Sequence, residues 1–177
     1  MTHIDDKVIE LARTAIGFEF GGERFYRHVA ELTQNPTGKA MFLRLAAAET
    51  EHVAETHVLF AALIGEDEWQ RLADQEAAIA QPSKTIAELQ AAVAQRGHEV
   101  VADDTQALRL AMEMERRAIQ VYQEIAEHTT DREMLGLIGK IIQEEGFHYD
   151  SLQAQLDSVQ NVGLWLDTPE FRMDAKY

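Results

Sequence analysis

The sequence of 177 residues contains no cysteine and only three prolines. The absence of cysteine excludes disulfides, zinc–thiolate sites and iron–thiolate sites within this chain. It also suits a reducing cytoplasm, which is where we expect the protein. With little proline and abundant Ala, Leu, Glu and Gln, the composition predicts an all-α protein. The length predicts one domain that is large enough to bury a core.

Long apolar runs and positive charge are also scarce. No segment has the roughly 18 uninterrupted apolar residues of a membrane span, and the N-terminus lacks a signal-peptide core. Only 16 Lys and Arg oppose 31 Asp and Glu, so the formal net charge is −15 at pH 7. This charge argues against partners such as nucleic acid or an anionic membrane surface.

Two Glu-x-x-His motifs are the most informative residues present. They are Glu49–His52 and Glu145–His148, and they lie 96 residues apart. Internal similarity at a fixed offset indicates two copies of one helical hairpin. A single Glu-x-x-His arises easily by chance in an acidic helix, but two in register with other matches do not. The further pairs at the same offset are Glu19 with Glu115 and Tyr26 with Tyr122.

Hydrophobic periodicity predicts four long helices joined in two hairpins. Gly65 is the predicted stop of the second helix, and Thr105 is the predicted cap of the third. Short turns join the first helix to the second and the third to the fourth, which makes each pair antiparallel. We expect the first helix at 4–33 and the second from the Asn35–Gly38 turn to Ile64. We expect the third helix from 105 to Thr129 and the fourth from the Thr130–Asp131 cap to Val159.

The connection between the two hairpins is long. Residues 65–104 contain two amphipathic stretches, 67–80 and 85–95, so we expect a helical crossover. It either spans the bundle, in which case the second and third helices run parallel, or crosses to another subunit. The sequence leaves both alternatives open. We expect residues 1–160 to form the bundle with this insert, and residues 161–177 to form a tail.

The predicted hairpins place their Glu residues at matching heights. Glu19 and Glu49 each lie about fifteen residues, or roughly 22 Å, from the bend of the first hairpin, and the second hairpin has the same spacing. Residues three apart on a helix differ by about 60°, so the Glu and His of each motif can both point inward. Tyr26 and Tyr122 each follow the first Glu of their hairpin by seven residues, on nearly the same stripe.

Four buried carboxylates would repel one another and lose their hydration unless cations were present. Two divalent ions would neutralise them, and a set of oxygen ligands with one imidazole per ion suits iron or manganese better than zinc. We therefore predict two metal ions inside a four-helix bundle, with a solvated helix face as the alternative. The predicted ligands are Glu19, Glu49, His52, Glu115, Glu145 and His148.

These motifs resemble the ferritin-like diiron carboxylate superfamily, and most of all its rubrerythrin and bacterioferritin branches, over about residues 10–60 and 105–157. The resemblance implies a ferritin-like four-helix bundle. A short C-terminal tail helix is predicted separately, because Thr168 can cap a helix whose first position is Pro169. Tyr26 and Tyr122 would lie beside the metals, either in redox or ligand-holding roles or as core packing. The resemblance implies terminal ligands at Glu19 and Glu115, bridging ligands at Glu49 and Glu145, and one iron each for His52 and His148.

The chain also departs from these families. Ala118 stands where rubrerythrins usually carry an additional Glu, so we do not expect their ligand switching. Thr50 stands where bacterioferritins carry a haem-binding Met, so no haem is predicted. By resemblance, Glu144 and Asp150 are candidates to support the ligands, and Glu23 is an alternative accessory ligand.

The leading functional prediction is a cytoplasmic diiron oxidoreductase that reduces O2 or hydrogen peroxide. Ferrous iron or an external carrier would supply the electrons, and zinc could substitute for iron. The alternatives are non-catalytic iron binding, storage or delivery, a structural bundle with zinc or an empty site, and action on an organic substrate. The apolar tail, with Trp165, Leu166 and Phe171, packs on the bundle or on a partner, and we expect a two-fold homodimer.

Overall fold

The computed structural model describes residues 6–79 and 104–166, and these residues form helices joined by short turns. The all-α class expected from the sequence is confirmed. The second amphipathic stretch at 85–95 lies outside the described residues. The helices are α1 (Asp6–Leu32), α2 (Pro36–Ile64), α3 (Glu66–Ala77), α4 (Asp104–Ala126) and α5 (Arg132–Val162).

The starts of α2 and α5 are set by local side-chain caps. Asn35 Oδ1 accepts hydrogen bonds from the backbone N–H groups two and three residues ahead, at 2.9 and 3.2 Å. Pro36 occupies the first helical position. Asp131 Oδ1 caps α5 in the same way, at 2.9 and 3.0 Å. Such caps satisfy N–H groups that have no partner within the helix. The predicted turn at Asn35 and cap at Asp131 are therefore both observed.

Other helix ends differ from the expectation by a few residues. α4 already begins at Asp104, so Thr105 lies inside the helix rather than at its cap, and α4 ends at Ala126. α5 continues past Val159 and stops before Gly163, whose φ of 69° is left-handed. Gly65 ends α2 at a φ of 91°, as predicted. Glycine adopts positive φ without the steric cost that other residues incur, which explains both stops.

The two hairpins pack against each other through α1 with α4 and α2 with α5. Tyr26 of α1 bonds Glu115 of α4, whereas Tyr122 of α4 bonds Glu19 of α1. Residue numbers therefore rise along α1 as they fall along α4, which makes these helices antiparallel. Because α1 is also antiparallel to α2, α2 and α4 run parallel. This is the direction that the crossover alternative predicted.

In the part of the chain that the structure describes, the core consists of two apolar clusters separated by a polar layer. Burying each large side chain contributes about 1.5–3 kcal/mol to stability, so the clusters hold the helices on both sides of that layer. The polar layer at their junction is where the predicted ligands lie. One cluster includes Phe25, Phe42, Leu45, Leu108 and Leu152, and the other includes Ile16, Leu59, Phe60, Leu72 and Ile141.

The described part of the tail packs on its own bundle. The Trp165 ring meets Phe42 edge-on at 5.8 Å between centroids. It also lies on Gly38, where an added Cβ would come within 2.6 Å of the indole. The Gln155 amide bonds both backbone groups of Leu166, at 2.9 and 3.1 Å. Trp165 therefore covers the end of the bundle near the α1–α2 turn.

The rest of the tail, including Phe171 and the expected terminal helix, lies outside the described residues. The division at 160 and the homodimer therefore stay predictions. Within residues 6–79 and 104–166, no helix is long and apolar enough to cross a membrane.

Candidate metal centre

The six predicted ligands lie together between the two apolar clusters. None of them is more than 4% exposed. Four come from the Glu-x-x-His motifs on α2 and α5 and offer ligand atoms that all lie within 4.8 Å of one another. The remaining two are supplied by α1 and α4. The six residues are Glu19, Glu49, His52, Glu115, Glu145 and His148.

One half of the cluster is centred on His52. Its Nδ1 atom lies 3.4 Å from Glu19 Oε2 and 3.2 Å from Glu145 Oε1. Glu49 Oε2 is 3.9 Å from the same nitrogen. A single imidazole nitrogen thus faces carboxylate oxygens from three helices, which is the arrangement a cation between them requires.

The other half is centred on His148. Its Nδ1 atom lies 3.0 Å from Glu145 Oε2 and 3.9 Å from Glu115 Oε2. The two imidazole rings stack, with centroids 5.4 Å apart and planes at 29°. Glu145 therefore turns one oxygen to His52 and the other to His148. This position between the two halves is the one a bridging carboxylate would occupy.

Two buried atoms of the cluster have no hydrogen-bond partner among the described residues. They are His52 Nδ1 and Glu19 Oε2, and they lie 3.4 Å apart. Buried polar atoms are almost always hydrogen-bonded, because leaving one unpaired costs about 1–3 kcal/mol. An imidazole nitrogen and carboxylate oxygens are suitable ligands for iron or manganese. The donor set and its unpaired atoms therefore fit a bound metal ion.

Two tyrosines orient the carboxylates at the ends of the cluster. The Tyr26 hydroxyl donates to Glu115 Oε1, and the Tyr122 hydroxyl donates to Glu19 Oε1. Each bond crosses between the hairpins and leaves the second oxygen turned toward a histidine. Burial, followed by the adjacent carboxylates, raises the pKa of both phenols, so they remain protonated donors.

The electrostatics are those of crowded anions. Burial and then repulsion from Glu145 raise the pKa of Glu49 and of Glu115 well above the usual value. Burial alone would lower the pKa of His52, but Glu145 and other carboxylates raise it overall. Burial lowers the pKa of His148. Without metal, Glu49 and Glu115 therefore keep protons more readily, which relieves the repulsion around them.

A small cavity opens beside the carboxylates. The space that the centre of a water molecule can occupy in this cavity is about 10 Å³. That is room for roughly one water. Ala118, at the position where rubrerythrins usually carry an additional Glu, is part of the wall. The lining residues are Phe18, Glu49, Met114, Glu115, Ala118 and Glu145.

The other candidates from the sequence lie in different places. Glu144 approaches the cluster, with Oε2 3.5 Å from His52 Nε2, and this contact lowers its pKa. Asp150 is exposed on α5. Glu23 pairs with Arg27 at the surface of α1, so the alternative of an accessory ligand is not supported.

Sequence reasoning missed Gly22, which makes room for Glu49, one of the predicted ligands. An added Cβ at this position would lie 3.1 Å from Glu49 Cδ and 3.2 Å from Glu49 Oε2. The glycine stands in the middle of α1, where it is unfavourable by about 0.5–1 kcal/mol relative to alanine. A buried glycine pair one turn after Glu19 was the available signal, since a helix keeps such residues where something must approach closely.

We expect Gly22→Ala to weaken metal binding without unfolding the helix. The new methyl group must displace the Glu49 carboxylate by a few tenths of an ångström. Groups that orient metal ligands typically change affinity by about 10–100-fold when altered, and we expect a loss in that range. Titration of the metal-free protein with Co(II), followed by calorimetry, measures the loss.

Gly139→Ala is the matched control for this substitution. Gly139 is exposed within α5, and an added Cβ there meets no atom of residues 6–79 or 104–166 within 4 Å. Its replacement should raise stability by about 1 kcal/mol through helix propensity alone and leave metal affinity unchanged. Equal metal affinity in both variants would show that Gly22 does not position Glu49.

Comparisons with known proteins agree with this geometry. No curated protein was matched by the chain. The sequence model of the Rubrerythrin family, by contrast, matches residues 10–156, which include all six residues of the cluster. Because the match spans most of the sequence and the fold is an all-α bundle with a buried carboxylate and histidine cluster, this chain belongs to the rubrerythrin family.

Proposed function

We propose that this protein is a non-haem diiron oxidoreductase that reduces hydrogen peroxide or O2. The observation that carries the proposal is the buried cluster of four carboxylates and two imidazoles beside a cavity of water-molecule size.

The distances support an assignment of the ligands to two positions. Glu19 and His52 would hold one iron, and the Glu115–His148 pair would hold the other. Glu145 would bridge them, because its two oxygens face different histidines. Glu49 is the second bridging candidate, and Gly22 provides space for its carboxylate.

Bound ferrous iron would supply the two electrons that, with two protons, convert one hydrogen peroxide into two waters. The protein's own contribution would be to orient the carboxylates and to exclude water from the centre. Tyr26 and Tyr122 would hold the terminal carboxylates in place through hydrogen bonds from their protonated hydroxyls. The apolar clusters above and below restrict water, which strengthens the electrostatic interactions within the layer.

The small volume of the cavity favours a small oxidant over an organic substrate. Its volume accommodates about one water-sized molecule, and the nonpolar part of its wall is formed by Phe18, Met114 and Ala118. Organic ligands usually occupy pockets of roughly 300–1,000 Å³. Dioxygen and hydrogen peroxide are of the size that this cavity admits.

The proposal is tested by loading the metal-free chain with two equivalents of Fe(II) under anaerobic conditions. Rapid mixing with O2 and, separately, with hydrogen peroxide then gives the two rates of iron oxidation and oxidant loss. We expect oxidation with both and repeated turnover once a reductant is supplied. Binding of two irons without turnover would favour storage or delivery, and a chain that takes only zinc would favour a structural role.

A cavity-filling variant makes this experiment specific. Ala118→Leu should slow the reaction with oxidant while two irons still bind, because the added side chain occupies the cavity. Ala54→Leu adds the same volume on the exposed face of α2 and serves as the control. Equal rates in the two variants would place the oxidant elsewhere.

A further inference from the structure

The two halves of the centre differ outside the ligands themselves. His52 turns Nδ1 to the carboxylates, and its other nitrogen, Nε2, lies 3.5 Å from Glu144 Oε2. Glu144 is also 3.3 Å from Lys140 Nζ, and Lys140 bonds Glu55 of α2. A chain of charged groups thus runs from His52 to the surface, where the Lys140 side chain is half exposed.

The second half has no carboxylate at the equivalent position. At the repeat offset of 96 residues, Glu144 corresponds to Ala48, and Glu55 corresponds to Ser151. Neither replacement carries a charge. The internal repeat therefore relates the six predicted ligands and the two tyrosines in pairs, but it supplies no second copy of the carboxylate behind His52.

A carboxylate behind a metal-binding imidazole has a defined effect. It accepts the N–H of the ring nitrogen that does not bind metal, which fixes the tautomer and the ring orientation and makes the ligand nitrogen more basic. Lys140 lies one helical turn before Glu144 on α5, and its ion pair with Glu144 holds the carboxylate in that position. His52 would bind metal in a pre-oriented state, and His148 would lack this particular support.

We infer that the two metal positions are inequivalent, with the position at Glu19 and His52 the tighter one, and that Glu144 is the positioning residue responsible. The inference rests on the two-metal centre proposed above but not on its reaction with an oxidant. The competing explanation is an ordinary surface pair between Lys140 and Glu144. Exposed pairs of that kind contribute little to stability, and removing one would leave metal affinity unchanged.

The experiment is an anaerobic Co(II) titration of the metal-free full-length protein, followed by calorimetry and visible absorption. We expect two binding phases whose affinities differ by about 10–100-fold, the range reported for such supporting groups. Glu144→Ala should weaken the tight phase by that factor, change its absorption band and leave the weak phase in place. Two equal phases in the unmodified protein would overturn the inference.

Three further variants assign the phases. His52→Ala should remove the tight phase, and His148→Ala should remove the weak one; the reverse assignment would overturn the inference. Glu51→Ala removes an exposed carboxylate next to His52 and should change neither phase. The retained weak phase shows that Glu144→Ala is folded.

Failure of the inference and failure of the proposed function are distinguishable in this design. Unequal Co(II) phases in a protein that never consumes oxidant would uphold the inference and overturn the function. Equal phases in a protein that turns over oxidant would do the opposite.

Discussion

Replacing Glu145 by alanine is expected to remove both metal ions from the centre, and not only one. Glu145 Oε1 lies 3.2 Å from His52 Nδ1, and Glu145 Oε2 lies 3.0 Å from His148 Nδ1. Loss of a supporting group costs about 10–100-fold in affinity, so loss of a carboxylate that would bind both ions in the proposed assignment should cost more at each position. Metal content per chain, measured by atomic emission after anaerobic loading, reports the result.

Glu49→Ala is expected to act in the same way, since Glu49 is the second bridging candidate. Glu51→Ala, an exposed neighbour on α2, is the control and should keep two ions. Neither bridging variant should unfold, because removing one of four buried carboxylates relieves repulsion. Two tightly held ions in Glu145→Ala would refute the bridging role, and one retained ion would make Glu145 a ligand of a single metal.

Replacing all four buried carboxylates by glutamine should stabilise the metal-free protein and abolish its stabilisation by metal. Glutamine has nearly the size of glutamate but cannot ionise, so the substitutions remove the repulsion among the buried carboxylates, and each pKa unit of repulsion that is relieved stabilises the fold by about 1.4 kcal/mol. In the unmodified protein, metal at 100 times its dissociation constant should add about 2.7 kcal/mol, or on the order of 5–10 °C for a domain of this size. The substituted residues are Glu19, Glu49, Glu115 and Glu145.

Thermal unfolding with and without Co(II) measures both effects. The matched control makes the same charge change at four exposed glutamates and should leave the metal effect intact. A metal-free protein whose unfolding temperature does not respond to the buried substitutions would mean that these carboxylates face water. The control residues are Glu10, Glu31, Glu51 and Glu127.

The advantage of the glutamine variant should shrink as the pH falls from about 7.5 to 5. The pKa of Glu49 and of Glu115 is raised in the folded state, so their protonation stabilises the fold at low pH and that contribution is lost as pH rises through the raised values. The raised pKa of His52 acts in the same direction. His148, with its lowered pKa, acts oppositely but is present in both proteins. A constant difference across this range would contradict the assigned repulsion.

Local structure was predictable where a single residue decides it. Asn35 and Asp131 cap helices because their side chains reach backbone N–H groups only two and three residues ahead. Gly65 stops α2 because positive φ is accessible to glycine. The end of α4 was misjudged because no residue near 126–129 interrupts the helical pattern, so the boundary depends on packing with the neighbouring helices.

The residues that face the interior of the bundle could also be predicted from the sequence. A repeat offset of 96 and helical periodicity place one Glu or Glu-x-x-His on each long helix at a common height. Burial of all six residues follows, since the positions around them are apolar. The roles of Tyr26 and Tyr122 were left between packing and function, because periodicity gives a direction but not a hydrogen-bond partner.

The sequence by itself determined the helical class, the two hairpins and the identity of the six clustered side chains, because these depend on spacing along one helix. Only the tertiary structure decided the contacts between helices. The crossed Tyr–Glu bonds, the approach of Glu49 to Gly22 and the link from His52 to Glu144 all join residues of different helices. Such contacts depend on how the helices are rotated and shifted against one another, and thus on the packing of the whole core.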